Sequence, residues 1–333
     1  MTLEKTTEKL HYQSWVQDER RNPGMPLELD WVNAVRVNKS AVERRAATIG
    51  KRRSIKKQWQ AAWLLRAVTC IDLTTLAGDD TPGKVQRMCA KAIHPVRKDI
   101  LQQFGVDDLD ITVGAVCVYH NRIADALKYL TGTNIPVAAV STGFPAGQID
   151  LADKINEIKR SVKLGAKEID IVISRDHVLT GDWESLYSEV AAFREACGEA
   201  HMKTILATGE LATLRNVHKA SLVCMMAGAD FIKTSTGKES VNATLEVSLT
   251  MIRAIRQYFE ETGFRVGFKP AGGIRSAKQS LQWLALMKEE LGNKWLQPNL
   301  FRFGASSLLG DIERQLEHNL THRYSADYRH PIP

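Results

Sequence analysis

From about residue 67 onward the chain alternates between two hydrophobic rhythms. Short runs with a two-residue period, or apolar throughout, predict strands at 67–76, 111–119, 136–141, 168–174, 203–208, 230–235, 265–270 and 300–304. Longer amphipathic segments at 82–104, 150–164, 183–197, 211–227, 243–262 and 277–291 predict helices between them. Thr81 stands as a cap before a first-turn proline, Pro82, and Ser276 precedes the next-to-last helical run as its cap. Eight β segments alternating with helices fit a (β/α)₈ TIM barrel better than an open sheet. An open dinucleotide-binding sheet would carry G-x-G-x-x-G after its first strand, where this chain has Leu73-Thr74-Thr75-Leu76-Ala77-Gly78.

Residues 1–60 lack this alternation and read as a mostly helical extension, with 61–320 as the barrel and 321–333 as a tail. The extension holds a turn cluster, Asn22-Pro23-Gly24-Met25-Pro26, and then a stretch in which Ala41, Val42, Ala46, Ala47 and Ile49 give a partial apolar helix face.

Strand parity gives the barrel interior a content, because alternate side chains of a barrel strand point inward. If Ile169, Ile171 and Ile173 face the helices, Asp170 faces in. The same parity turns Ile232 outward and Lys233 inward, and it turns Val266 and Phe268 outward with Gly267 and Lys269 inward. Ile71 and Leu73 outward leave Asp72 inward, and Cys117 shares the parity of Ala115. Two lysines and two aspartates therefore share one cavity, an expensive arrangement to bury without a purpose.

Composition and charge exclude several classes. Hydrophobic residues make up 44% and charged residues 25%, an ordinary globular mixture. No apolar run approaches the length of a membrane span, and the first 30 residues show no secretory pattern, so neither a membrane location nor export is expected. Five widely spaced cysteines without a C-x-x-C pair argue against a disulfide framework and a zinc site, and point to the reducing cytoplasm. The net charge of +7 is local: residues 36–58 hold nine Lys/Arg against a single acid, Glu43, leaving the remainder close to neutral.

Lys233 and Lys269 form the first chemical constellation. Two ammonium groups facing one cavity repel each other, and burial adds to the effect, so one amine is expected to lose its proton near neutral pH. A neutral amine is what a carbonyl electrophile requires, as in Schiff-base catalysis. The competing reading pairs each lysine with an interior aspartate in a purely structural network. Asp170 beside such an imine can shuttle protons, and Asp72 is a weaker candidate for the same relay. Cys117 reads as a small buried thiol, and Glu210 as a loop or helix-start residue.

The second constellation is an anion site. Thr234-Ser235-Thr236-Gly237-Lys238 follows the sixth strand, Pro270-Ala271-Gly272-Gly273-Ile274-Arg275 the seventh, and Gly304-Ala305-Ser306-Ser307 the eighth. Glycines let backbone N–H groups approach a phosphate, and the loops after strands seven and eight are its recurrent site in this fold. Gly237, Lys238, Gly272, Gly273, Arg275, Gly304, Ser306 and Ser307 are the candidates. A nucleotide P-loop is rejected, since the first glycine of G-x-x-x-x-G-K is missing before Lys238.

These same segments, with Asp72-Leu73-Thr74-Thr75-Leu76, Glu168-Ile169-Asp170-Ile171-Val172 and Ala207-Thr208-Gly209-Glu210-Leu211, closely resemble the deoxyribose-phosphate aldolase family. The likeness runs in order from about residue 67 to 310, and the N-terminal extension is similar to that of the eukaryotic branch. The resemblance implies a class I aldolase, with neither metal nor cofactor, that cleaves 2-deoxy-D-ribose 5-phosphate to glyceraldehyde 3-phosphate and acetaldehyde. It implies an imine on Lys233, Lys269 as the group that perturbs it, Asp170 as proton relay, and phosphate held by the three glycine-bearing loops. Asp72, Cys117 and Lys203 are supporting candidates. The chain departs from the family at Ala207, where bacterial members often carry glutamate, and in a tail that does not end in tyrosine, so Tyr324 and Tyr328 are the candidates for that role.

Two rival readings stand beside this one. Another Schiff-base aldolase would share the lysines and take a ketose or a longer sugar phosphate. An inactive barrel could instead bind nucleic acid or protein, or enter the nucleus, through Lys51-Arg52-Arg53-Ser54-Ile55-Lys56-Lys57, although a solvated helix face is the commoner origin of such a run. The expected partner is thus a small sugar phosphate, not a membrane and not nucleic acid, with a homo-oligomer allowed.

Overall fold

The computed structural model describes residues 21–52 and 55–330. Eight strands run in chain order: β1 Ile71–Thr74, β2 Ala115–Tyr119, β3 Val137–Val140, β4 Glu168–Val172, β5 His201–Ile205, β6 Phe231–Lys233, β7 Gly267–Lys269 and β8 Phe303–Ala305. Each pairs in parallel with its sequence neighbour, and β8 returns to pair with β1. Parallel bridges Phe268↔Phe301 and Ala271↔Gly304 link the β7 and β8 segments and close the ring. The (β/α)₈ barrel expected from the alternation is the fold.

Inward and outward faces follow the parity rule. Ile169, Ile171 and Ile173 lie in the large apolar core between strands and helices, together with Val116 and Val118. Cys117, Ala138 and Val140 form a separate small cluster inside the ring. Helix starts also follow the sequence. Thr81 accepts the Lys84 N–H ahead of helix Pro82–Ile93, and Ser276 with Gln279 forms a capping box on Ala277–Leu291.

Three local expectations change. The first strand was expected over 67–76, but Ala67, Val68 and Thr69 are the last turn of helix Lys57–Thr69. Its buried Ala61, Leu64, Ala67 and Val68 repeat every three to four residues, and packing onto the core outweighs the local β-type composition. The helix expected over 82–104 is two, Pro82–Ile93 and Lys98–Phe104, because Pro95 cannot donate an N–H and pushes His94 out of helical conformation. In helix Lys39–Arg52 the buried stripe is Val42, Ala46 and Ile49, whereas Ala47 is exposed. The spacing i, i+4, i+7 selects one face and leaves Ala47 off it.

That N-terminal helix packs against Leu245–Thr262 and Ala277–Leu291, and Lys57–Thr69 crosses residue 60 and lies between Ala277–Leu291 and Leu308–Thr321. Arg45 of the basic stretch pairs with Glu289 at 2.6 Å and Glu290 at 3.2 Å. Arg53 and Ser54, within the proposed basic patch, lie outside the described residues, as do 1–20 and the tail end 331–333. No helix among the described residues is long and apolar enough to cross a membrane.

Candidate active site

The barrel interior gathers seven charged side chains. β1 supplies Asp72, β4 Glu168 and Asp170, β5 Lys203, β6 Lys233, β7 Lys269, and Arg302 stands just before β8. All seven are buried. The register sets Lys233 opposite Lys269 and Asp170 opposite Lys203. Both Lys233 Nζ and Lys269 Nζ donate to the same atom, Asp170 Oδ2, each at 2.7 Å. The two nitrogens are therefore no further apart than twice that distance. Lys269 also donates to Asp72 Oδ2 at 2.5 Å. Lys203 is bonded to Glu168 and lies 3.4 Å from Asp170 Oδ1 and 3.7 Å from Asp72 Oδ2. Arg302 donates to Asp72 Oδ1 and, at 2.9 Å, to Glu168 Oε1.

The pKa values of the two lysines of interest move in opposite directions. Burial lowers the Lys233 pKa, Asp170 opposes that, and the Lys269 cation adds to the lowering. Burial works the same way on Lys269, but Asp170 and Asp72 outweigh it and hold its ammonium well above the usual lysine range. Sequence reasoning gave the cationic neighbour first place; in the structure burial leads and Lys269 is the lesser contributor. Burial would raise the carboxylate of Asp170, yet Lys233, Lys269 and Lys203 bring it well below the usual range. Asp72 is held low in the same manner against burial by Lys269, Arg302 and Lys203. Burial pushes the Cys117 thiol up to about 11, so it stays protonated, in line with a bland core role.

A cavity of about 380 Å³ opens at the C-terminal ends of the strands. Lys233 lines it, and so do all eight residues expected to hold an anion. Gly237, Gly272 and Gly273 have φ of +84°, +81° and +82°, a region that favours glycine. At Gly272 a Cβ would meet the Asn242 side chain at 2.6 Å. At Gly304 it would stand 2.7 Å from the Ala271 Cβ and 3.2 Å from Lys269 Cε, so this glycine makes room for the lysine stem. Ser306 and Ser307 lead into the 14-residue helix Leu308–Thr321, whose first-turn N–H groups face the same end. Lys238, Arg275 and the two serines are exposed at the rim.

Sequence reasoning missed four participants. Glu168 shares the inward parity of Asp170, and Arg302 that of Gly304, so strand phase already contained the signal for both. Lys84 lines the cavity from helix Pro82–Ile93 while paired with Asp80 at 2.8 Å; no motif marks it. The Glu239 carboxylate accepts the Thr236 N–H at 3.0 Å, within the loop expected to grip phosphate. Lys203, a supporting candidate, is enclosed by three carboxylates. Glu210 pairs with Arg175 at 2.6 Å, as suits a loop residue. Neither Tyr324 nor Tyr328 lines the cavity; both are exposed, and Tyr324 stacks on His318. His318 and His322 stand at a spacing that can ligate metal, but no group of three or more His, Cys, Asp or Glu among the described residues could hold one.

Comparison with known proteins gives a consistent picture. A family model described as DeoC/LacD family aldolase matches residues 66–311. The chain is 62% identical to the deoxyribose-phosphate aldolase of Mus musculus, over 93% of this chain and 98% of that protein. It is 60% identical to the deoxyribose-phosphate aldolase of Homo sapiens over the same shares. Its fold is similar to the tetrameric deoxyribose phosphate aldolase of Aeropyrum pernix, at 20% identity and a TM-score of 0.56, over 79% of this chain and 98% of that one.

Proposed function

This chain belongs to the DeoC/LacD family of aldolases, and on that premise we propose that it cleaves 2-deoxy-D-ribose 5-phosphate through an imine on Lys233. The observation that carries the reading is one shared oxygen. Asp170 Oδ2 receives two buried lysines, and of the two only Lys233 lines the cavity that the anion loops surround.

Charge balance favours the assignment. With Lys233 neutral, Lys203, Lys269 and Arg302 face Asp72, Asp170 and Glu168, three cations against three carboxylates. Protonating Lys233 adds an uncompensated charge to a buried site. Its amine is therefore the one positioned to attack the open-chain aldehyde.

Loss of water leaves a cationic imine that draws electrons from the C2–C3 bond. The C3 hydroxyl proton passes to Asp170, whose Oδ1 accepts no hydrogen bond among the described residues. As the bond breaks, its electron pair neutralises the imine. The cationic imine beside Asp170 holds the carboxylate's basicity down, so Asp170 gains basicity as that charge fades. Glyceraldehyde 3-phosphate departs, the enamine is protonated at C2, and hydrolysis releases acetaldehyde. Loop N–H groups, the serine hydroxyls, Lys238 and Arg275 anchor the phosphate and fix the aldehyde near the amine, an orientation worth roughly 7–11 kcal/mol when the geometry is good. No step requires a metal or an organic cofactor. Five free, buried cysteines suit a reducing cytoplasmic setting for this reading.

Borohydride reduction with acetaldehyde should add two carbons to Lys233, read by peptide mass spectrometry. Labelling at Lys269 alone would overturn the assignment. Faster cleavage of a ketose phosphate than of the deoxyribose phosphate would favour the rival aldolase.

A further inference from the structure

We propose that Glu168 and Arg302 are a positioning pair that aims the charged groups beneath Lys233 from the opposite end of the barrel. The inference rests on the aldolase reading and deepens it. The two side chains join at 2.9 Å and are nearly solvent-free. From this root two arms rise toward the reacting amine. Arg302 holds Asp72 by Oδ1, which turns Oδ2 onto Lys269, and Lys269 reaches Asp170. Glu168 holds Lys203 by Oε2, and Lys203 stands 3.4 Å from the other oxygen of Asp170. Both arms end on the carboxylate that binds Lys233.

The fold makes room for this pair. At Gly114 a Cβ would stand 3.2 Å from the Arg302 side chain and 2.9 Å from the Thr69 carbonyl, so this position stays bare beside the guanidinium. Arg302 is further tied to the Pro298 carbonyl. Both residues also line a second cavity, about 970 Å³, at the N-terminal ends of the strands, where Phe231, Ile135 and Leu130 form apolar wall. A buried ion pair contributes little net stability against an apolar replacement, so stability alone is a weak reason for placing one here.

The groups facing Lys233 define the electrostatic consequence. Asp170 from β4, Lys269 from β7 and Cys117 from β2 act on it directly, and Asp72 from β1, Lys203 from β5, Glu168 from β4 and Arg302 beside β8 stand behind them in the same ion network. Removing Arg302 takes a cation from the set and favours the Lys233 ammonium. Removing Glu168 takes an anion and favours the free amine. The two changes must therefore move the pH dependence in opposite directions.

The test is the pH profile of borohydride trapping with acetaldehyde, which carries no titrating phosphate, on the full-length protein. Trapping rises as Lys233 loses its proton. Arg302→Met should move the midpoint up, and Glu168→Gln should move it down. Each shift should be roughly one pH unit, as for a unit charge acting over ~10 Å at an effective dielectric near 20. Arg302→Lys and the charge-balanced double variant Glu168→Gln/Arg302→Met should return it close to the native midpoint. Shifts of the same sign, or unmoved midpoints in variants with native circular dichroism, overturn the proposal. Should Arg302→Met fail to fold, Glu168→Gln and the double variant decide by the same criterion. A native enzyme that traps at Lys233 while the variants keep its midpoint sinks only this inference; a native enzyme that forms no adduct sinks the aldolase reading with it.

Discussion

Lys269 and Lys233 stand opposite each other on neighbouring strands, yet one is sunk in the lower half of the barrel interior and the other opens onto its mouth. In the lower half every cation meets at least two carboxylates: Lys269 has Asp72 and Asp170, Arg302 has Asp72 and Glu168, and Lys203 lies near all three. At the mouth Lys233 pairs, among the described residues, with Asp170 only, and shares that oxygen with Lys269. The same side-chain chemistry is thus enclosed by ion pairs in one place and open to a cavity in the other. The difference lies in how many carboxylates surround the nitrogen and whether a cavity reaches it.

The largest expected effect breaks the comparison at the mouth. Lys233→Met should reduce cleavage of 2-deoxy-D-ribose 5-phosphate by at least about a thousandfold, measured as kcat in a coupled assay, because the nucleophile is gone. It should not unfold the protein. The folded-state pKa of Lys233 is lowered, so between that value and ~10.4 the unfolded chain binds a proton the folded chain does not. Native stability therefore climbs with pH across that window, and the variant should lose this climb in urea unfolding at pH 7 and pH 9. A variant with native pH dependence would show that Lys233 is as firmly charged as its neighbour.

Lys269→Met tests the lower half. It leaves Asp72 and Asp170 facing one another with fewer cations, and should cost about 3–5 kcal/mol in urea unfolding at neutral pH. The folded pKa of Lys269 is raised, so its contribution is fully present below ~10.4 and is lost only as pH rises toward the higher folded value. Opposite stability responses from two adjacent lysines are the sharpest statement of the contrast, and a small, equal loss in both would erase it.

The smallest effect lies at the rim. On the proposed reading Arg275→Ala should raise KM about tenfold, equivalent to ~1.4 kcal/mol, with kcat changed far less, since a guanidinium exposed at the rim would bind the phosphate without touching the reacting bond. A fall in kcat alone would place Arg275 in the chemistry and not in the anchor.

Much of this was legible before any coordinates. Strand parity put Asp72, Asp170, Lys233 and Lys269 inside the barrel, because a two-residue period leaves no other face once Ile169, Ile171 and Ile232 pack outward. Glycines in the sequence marked the candidate anion loops, and the structure puts Gly237, Gly272 and Gly273 at positive φ. The same parity applied to Glu168 and Arg302 would have completed the ion network, but without known neighbours they read as isolated charges. Where local composition spoke against packing it misled: Ala67-Val68-Thr69 has strand-like residues and ends a helix.

The order of side chains along each strand thus determined the fold and which face of each strand turns into the barrel, since backbone geometry converts position into direction. Only tertiary structure decided that the proton affinity of Lys233 falls while that of Lys269 rises. That choice depends on desolvation and on the carboxylates reached across strands far apart in sequence, and those distances come into being only when the barrel closes.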